Sequence, residues 1–274
     1  MSDVKTATPE RVVVAGEAAA RRERLVEVYR EASACERCPL SAGRNTVVFG
    51  SGNADADLMF VGEAPGAEED RQGLPVVGRA GQFLNQQLEG VGMSREDVFI
   101  ANVLKCRPPG NRDPQPEEID SCRPWLEQQV DLIRPRIIAT LGNFATKLLT
   151  ANPTGITKVR GTPQEHVIGG RSLYVLPLFH PAAGLRTPRV AEQLREDFTG
   201  IPELLARPLP EPPPGIATPR DGEPEADQLG LFGRRRPGPR RRPRPRWWVS
   251  GSAPSYRPAT SSSSVASSGP GRRP

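Results

Sequence analysis

The chain is poor in the features that place a protein in a membrane or an oxidising compartment. No apolar run approaches the roughly 20 residues that a membrane helix requires. The opening stretch MSDVKTATPERVVVAGEAAARRERL has neither the long apolar core nor the cleavage pattern of a signal peptide. These two absences point to a cytoplasmic protein. Cysteines number four, Cys35, Cys38, Cys106 and Cys122. In a reducing compartment such residues serve as metal ligands more readily than as disulfides. Histidines number two, and hydrophobic residues make up 36% of the chain, which is low for a sequence folded along its whole length. No internal repeat is present, so a solenoid is excluded.

What is abundant is local. Fifteen of the 31 prolines follow Ala206. From Arg207 to Pro274 there are 13 arginines and 5 acidic residues, a net of +8; the whole chain is +5, so residues 1–206 sum to −3. The basic character belongs to the C-terminal stretch, and a nucleic-acid function has to rest on a local patch in the body. Residues 1–17 read as a flexible leader, 18–206 as one domain, and 207–274 as a disordered Pro/Arg/Ser-rich tail that lacks the apolar surface to offset its ordering entropy.

Within the domain, 18–33 has helical spacing of Leu25, Val28 and Tyr29. Four short apolar runs follow, 57–61, 98–103, 136–141 and 173–178, and look like buried parallel strands. Helical patterns occupy 80–91, 116–133 and 144–149, with a last helix over 189–205. Alternating strands and helices predict an α/β fold, an open parallel sheet with helices on both faces.

In such sheets, ligands bind beyond the carboxyl ends of the strands. Gly62-Glu63-Ala64-Pro65-Gly66 follows the first strand, Asn102 ends the second, Leu141-Gly142-Asn143 follows the third, and Phe179-His180-Pro181 the fourth. Glu63, Asn102 and His180 are thereby brought to one sheet edge. A carboxylate, an amide and an imidazole in one crevice can read a flat heterocycle by hydrogen bonds and assist its departure. His166, in PQEHVIGG, is expected to be a surface loop residue without a role. Cysteine spacing leaves zinc and iron–sulfur both open: Cys35-x2-Cys38 suits either, while Cys106-x15-Cys122 lacks the tight knuckle usual for zinc.

The segments GEAPGAEED, LPVVGRAGQFL, NVLKCRPPGNRDP and HPAAGL, with the four cysteines between them in order, resemble the family 4 uracil-DNA glycosylases. The resemblance runs from Cys35 to Ala206. It implies a uracil-DNA glycosylase-like fold with a [4Fe-4S] cluster on Cys35, Cys38, Cys106 and Cys122, structural in role. It implies a monofunctional DNA N-glycosylase that hydrolyses the bond to a flipped uracil, in DNA containing uracil, single or double stranded. Glu63, His180 and Glu69 would be catalytic, and Glu63, Ala64, Pro65, Gly66, Val76, Asn102 and His180 would bind the base. Asn102 would bond the uracil edge, His180 the O2 atom, and Glu69 would shape the pocket or hold water, with Glu68 and Asp70 as solvated charges at a helix start.

Lys105, Arg107 and Arg112, with Arg186, are the expected DNA contacts, and Leu185 the apolar wedge that fills the gap left by the flipped base. The family carries an aromatic residue where this chain has Val76, so stacking on the base is lost. That departure leaves open a second reading, a uracil- or abasic-DNA binding module with weak catalysis. In the tail, Gln228, Leu229, Leu231 and Phe232 resemble the short peptide by which bacterial repair proteins dock on the sliding clamp, with the protein otherwise expected to be monomeric.

Overall fold

The computed structural model describes residues 15–168 and 170–211. The clamp-like peptide 228–232 and most of the expected tail lie outside the described residues. The strands are β1 (Ser51–Gly52), β2 (Leu58–Gly62), β3 (Phe99–Asn102), β4 (Ile137–Leu141), β5 (Gln164–Ile168) and β6 (Arg171–Leu178). The helices are α1 (Ala15–Ser33), α2 (Ala67–Gln72), α3 (Gly78–Gly90), α4 (Pro116–Ile133), α5 (Asn143–Thr150), α6 (Ile156–Val159), α7 (Pro181–Gly184), α8 (Pro188–Thr199) and α9 (Ile201–Ala206).

The six strands form one sheet in the order β1-β3-β2-β4-β6-β5. Its central four are parallel, as the apolar runs predict, with Gly62 opposite Asn102 and Leu141 opposite Leu178. Both edges are antiparallel, so the sheet is mixed. His166 is therefore not in a loop but in the edge strand β5, paired with Leu173. The sequence QEHVI hides this strand because an edge is half solvated and lacks a continuous apolar run.

Alternation along the strands sends side chains to two cores. Met59 and Val61 of β2 face Leu25 and Val28 of α1 and Leu126 and Val130 of α4. Leu58 and Phe60 face Phe83 and Leu84 of α3 and Leu194 and Phe198 of α8. Phe60 and Phe198 stack with ring centroids 5.8 Å apart. The single helix expected over 189–205 is two, α8 and α9, divided at Gly200. Two sequence boundaries also move. Helix α1 begins at Ala15, inside the expected leader. Beyond Ala206, Arg136 donates to the Arg207 carbonyl and the Tyr174 hydroxyl to that of Pro208, so the chain stays bound to the body past its expected end. Among the described residues, no helix is long and apolar enough to cross a membrane.

Candidate active site

The carboxyl ends of β2, β4 and β6 open onto a cleft of about 690 Å³. Glu63, Asp113, Asn143, Lys147 and His180 supply its polar wall, and Ile119, Phe144 and Leu148 its apolar one. His180 caps the start of α7: its Nδ1 accepts the backbone N–H of Ala182 at 3.1 Å. An imidazole nitrogen that accepts carries no proton, so the ring's proton is on Nε2. Burial lowers the His180 pKa from its ordinary value, and the Glu69 charge offsets this in part. The ring is therefore a neutral hydrogen-bond donor. Gly142 holds φ at +94° where β4 turns into α5, a backbone conformation that favours glycine, and it lies next to His180.

Glu63 extends from the end of β2, half-buried. Burial first, and the Asp113 charge second, raise its pKa above the usual carboxylate range. Asp113 and its partners on the cleft wall, Asn143 and Lys147, are not among the residues expected from sequence. Asn143 directly follows the third strand, which was signal enough to find it; Asp113 and Lys147 carry no such mark.

Asn102 is 2% exposed. Its backbone carbonyl accepts Lys105 Nζ at 2.8 Å, but its side-chain amide makes no hydrogen bond among the described residues. Asn102 is not among the residues that line the cleft; it ends β3, which pairs with β2. A Cβ on Gly62 would collide with Asn102 Oδ1, so the glycine is what leaves room for the amide.

The remaining expected base contacts divide. Pro65 is buried, and Ala64 packs towards the α1/α4 core. Gly66 and Val77 both donate their backbone N–H to Glu69, at 3.1 and 3.0 Å. Both Glu69 oxygens thus hold the 62–66 turn to the Val76–Val77 turn. Of the two roles expected for Glu69, this geometry bears on shaping the pocket, and each oxygen keeps a lone pair for a further donor. Asp70, expected to be solvated, is instead 1% exposed and accepts the backbone N–H of Asn45 at 2.9 Å. Val76 is 4% exposed, in the α3/α8 core, with φ at +48°, a left-handed conformation unfavourable for a β-branched residue. Its carbonyl accepts Arg95 Nη1 at 3.1 Å, which helps hold the turn. Val76 does not line the cleft.

The four cysteines gather at the other end of the 102–122 segment. All are free thiols around a narrow hollow that Arg37, Arg44, Lys105 and Trp125 also line. The Lys105 backbone N–H donates to Cys122 Sγ at 3.2 Å, and Arg44 Nη1 to Cys106 Sγ at 3.6 Å. Burial pushes the Cys122 thiol up to about 12. Burial also raises Cys106, against the pull of Arg44.

The sequence profile of the uracil DNA glycosylase superfamily matches residues 49–199, more than half of the chain. The chain is 43% identical over 192 residues to the type-4 uracil-DNA glycosylase of Archaeoglobus fulgidus, covering 69% of this chain and 96% of that one. It is 44% identical over 189 residues to the same enzyme of Sulfurisphaera tokodaii, covering 67% and 86%. It is 47% identical over 167 residues to that of Thermotoga maritima, covering 60% and 85%. The chain belongs to the type-4 uracil-DNA glycosylases.

For a type-4 uracil-DNA glycosylase, the loop after Asn102 supplies less of the DNA contact than its sequence suggests. Lys105 is 1% exposed, with Nζ on the Asn102 carbonyl and on Gln129 Oε1 at 2.6 Å. It cannot reach a phosphate; the run of basic residues in the sequence conceals that one of them points inward. Burial brings its pKa down to about 8. Arg112 is paired in a two-pronged bridge with the buried Glu118, at 2.9 and 2.5 Å, so its charge is already neutralised. Arg107 bonds Asn111 Oδ1 at 2.7 Å through Nε. Leu185 is 38% exposed and Arg186 exposed, as a wedge and a phosphate contact require.

Proposed function

We propose that the chain is a uracil-DNA glycosylase: it accepts uracil flipped out of DNA and hydrolyses its N-glycosidic bond, leaving an abasic site, as the first step of base excision repair. The observation that carries this reading is the neutral His180 on the cleft wall, with the Asn102 amide, which makes no hydrogen bond among the described residues, at the end of β3 on the same edge of the sheet. An amide presents a donor and an acceptor together, which matches the N3–H and O4 edge of uracil and not that of cytosine. His180 Nε2–H donates to O2. As the bond from N1 to C1′ lengthens, electrons move into the uracil ring, and a neutral donor in a dry site stabilises that negative charge without giving up its proton. Water then adds to the cationic C1′ and loses a proton, and uracil departs as an anion that is protonated afterwards. Glu63 orients this water. The position after Glu63 is Ala64, so no second carboxylate stands there; a cationic sugar is trapped by weakly activated water. Leu185 fills the gap left in the stack.

The four thiols fit an iron–sulfur cluster. All four cysteines line one narrow hollow. The N–H groups of Lys105 and Arg44 aimed at sulfur are the outer contacts that such a cluster uses. When bound, the cluster supplies a cross-link from Cys35 and Cys38 to the 106–122 segment. The protein acts as a monomer in the cytoplasm, and 228–232 serves as a sliding-clamp peptide; a pull-down in which Phe232→Ala binds the clamp as wild type does would refute the latter.

The test is release of uracil from a labelled U·G oligonucleotide. Asn102→Ala and His180→Ala are each expected to lose roughly 10²–10³-fold in rate, the usual cost of removing one transition-state hydrogen bond. A wild-type protein that binds the oligonucleotide and releases nothing would instead support the binding-module reading.

A further inference from the structure

If Lys105 is buried and Arg112 is paired, the acidic body needs another footprint for the phosphate backbone. Most arginines of the body are engaged elsewhere. Arg71 and Arg160 face carboxylates, and Arg44 and Arg95 hold backbone carbonyls. The side chains of Arg79, Arg186 and Arg189, like those of Arg30 and Arg195, are exposed and make no hydrogen bond or ion pair among the described residues.

Arg79, Arg186 and Arg189 meet at one corner of the molecule. Arg79 is in the first turn of α3, one turn before Phe83. The Phe83 ring lies so close to Gly184 that an added Cβ there would stand 2.9 Å from it, and 3.3 Å from Leu194 of α8. Gly184 ends α7 and is followed at once by Leu185 and Arg186; Arg189 opens α8. The same short helix α7 starts at His180, so this corner adjoins the cleft. Arg79 and Arg189 occupy helix first turns, where the helix dipole disfavours a cation, and neither turn contains an acidic residue. Three unpaired arginines around an exposed leucine, two of them in unfavourable positions, are groups kept for an anionic ligand.

We propose that Arg79, Arg186 and Arg189 form a phosphate-binding strip around Leu185 that grips the backbone of the DNA strand entering the cleft. The proposal rests on the reading that DNA is the substrate, and adds Arg79 and Arg189 to its contacts. Each phosphate contact releases condensed counterions, so each contributes to the dependence of log Kd on log salt: about 0.9 for duplex and about 0.7 for single strands.

The experiment is binding of a fluorescent, uracil-free oligonucleotide by the full chain across a salt series, read by anisotropy. Arg79→Gln, Arg186→Gln and Arg189→Gln are each expected to make the slope shallower by about 0.7–0.9. Arg30→Gln, which removes an exposed charge from α1, is expected to leave the slope unchanged. The proposal is overturned if Arg79→Gln and Arg189→Gln keep the wild-type slope, or if Arg30→Gln lowers it equally. Uracil release by the wild-type protein, measured separately, judges the glycosylase reading and does not enter the slope.

Discussion

The backbone N–H of Ala182 donates to Nδ1 of His180, and this one bond decides how the site responds to pH. A second proton can reach the ring only at Nδ1, where it would displace that N–H. Burial already holds the His180 pKa below its ordinary value of about 6.5. Uracil release is therefore expected to stay flat from neutral pH to about pH 8, and to fall only below the ordinary imidazole range. Glu63 also titrates on the acid side, because burial and Asp113 raise its pKa. The titratable groups facing it across the cleft are Asp113, Lys147 and the neutral His180. Asp113→Asn removes a negative neighbour, which eases ionisation of Glu63, so the acid limb of the pH–rate profile should move to lower pH. A limb that stays in place would show that Glu63 does not set it. At Asn102 the sequence marks the residue, as an amide inside an apolar strand, but gives no sign of what protects it. That protection is Gly62. Gly62→Ala would press its Cβ on Asn102 Oδ1. A displacement of about 1 Å in a positioning group can cost about 10²-fold. Gly62→Ala should approach that loss in uracil release while melting close to wild type.

At the scale of elements, the central strands were legible because a strand covered on both faces is apolar without interruption. The edges were not, because β1 is two residues long and β5 is half solvated. The cleft's glutamate and histidine were legible from their places at strand ends, whereas Asn102 ends β3 outside the residues that line the cleft. The 103–113 loop was not, since direction is a tertiary property: Lys105 and Arg107 are two residues apart, yet only the first turns inward. Lys105 joins three elements. Its Nζ ties the end of β3 to Gln129 of α4, and Gln129 Nε2 in turn holds the Phe49 carbonyl at 2.8 Å. Lys105→Met keeps the side chain as far as its ε position and leaves the Asn102 carbonyl and the Gln129 amide oxygen without the Nζ donor. Each buried group so stranded costs about 1–3 kcal/mol. The variant should unfold at lower denaturant concentration and release uracil more slowly, yet bind DNA with the wild-type salt slope. A shallower slope would restore Lys105 to the DNA contacts.

Across the whole molecule, the four thiols would connect, through the proposed cluster, parts that the sheet does not. Cys35 and Cys38 lie just after α1, Cys106 beyond the end of β3, and Cys122 inside α4. Packing of Leu25 and Val28 already seats α1 on the core. The segment from 34 to 46 has less to hold it: Arg44 on the Cys35 and Ser33 carbonyls, and Asn45 and Thr46 on the buried Asp70. The proposed cluster would close a loop of about 70–90 residues, and by the chain-entropy estimate used for disulfides such closure would contribute about 4–5 kcal/mol. For a domain of this size, 1 kcal/mol moves the melting temperature by about 2–4 °C. Cys35→Ser should therefore lose iron and brown colour and melt roughly 10 °C or more below the wild-type protein. Trp125 lines the same hollow, with the Arg37 guanidinium 4.3 Å above its ring. A coloured cluster beside an indole quenches its emission, so loss of iron should brighten tryptophan fluorescence in step with the fall in melting temperature. Because Lys105 links Cys122, through its own backbone N–H, to the Asn102 carbonyl, the same variant should also release uracil more slowly at temperatures where it remains folded. An iron-free Cys35→Ser protein that melts with the wild type would show that α1 and α4 hold this side of the molecule by packing alone, and that the thiols serve something other than its stability.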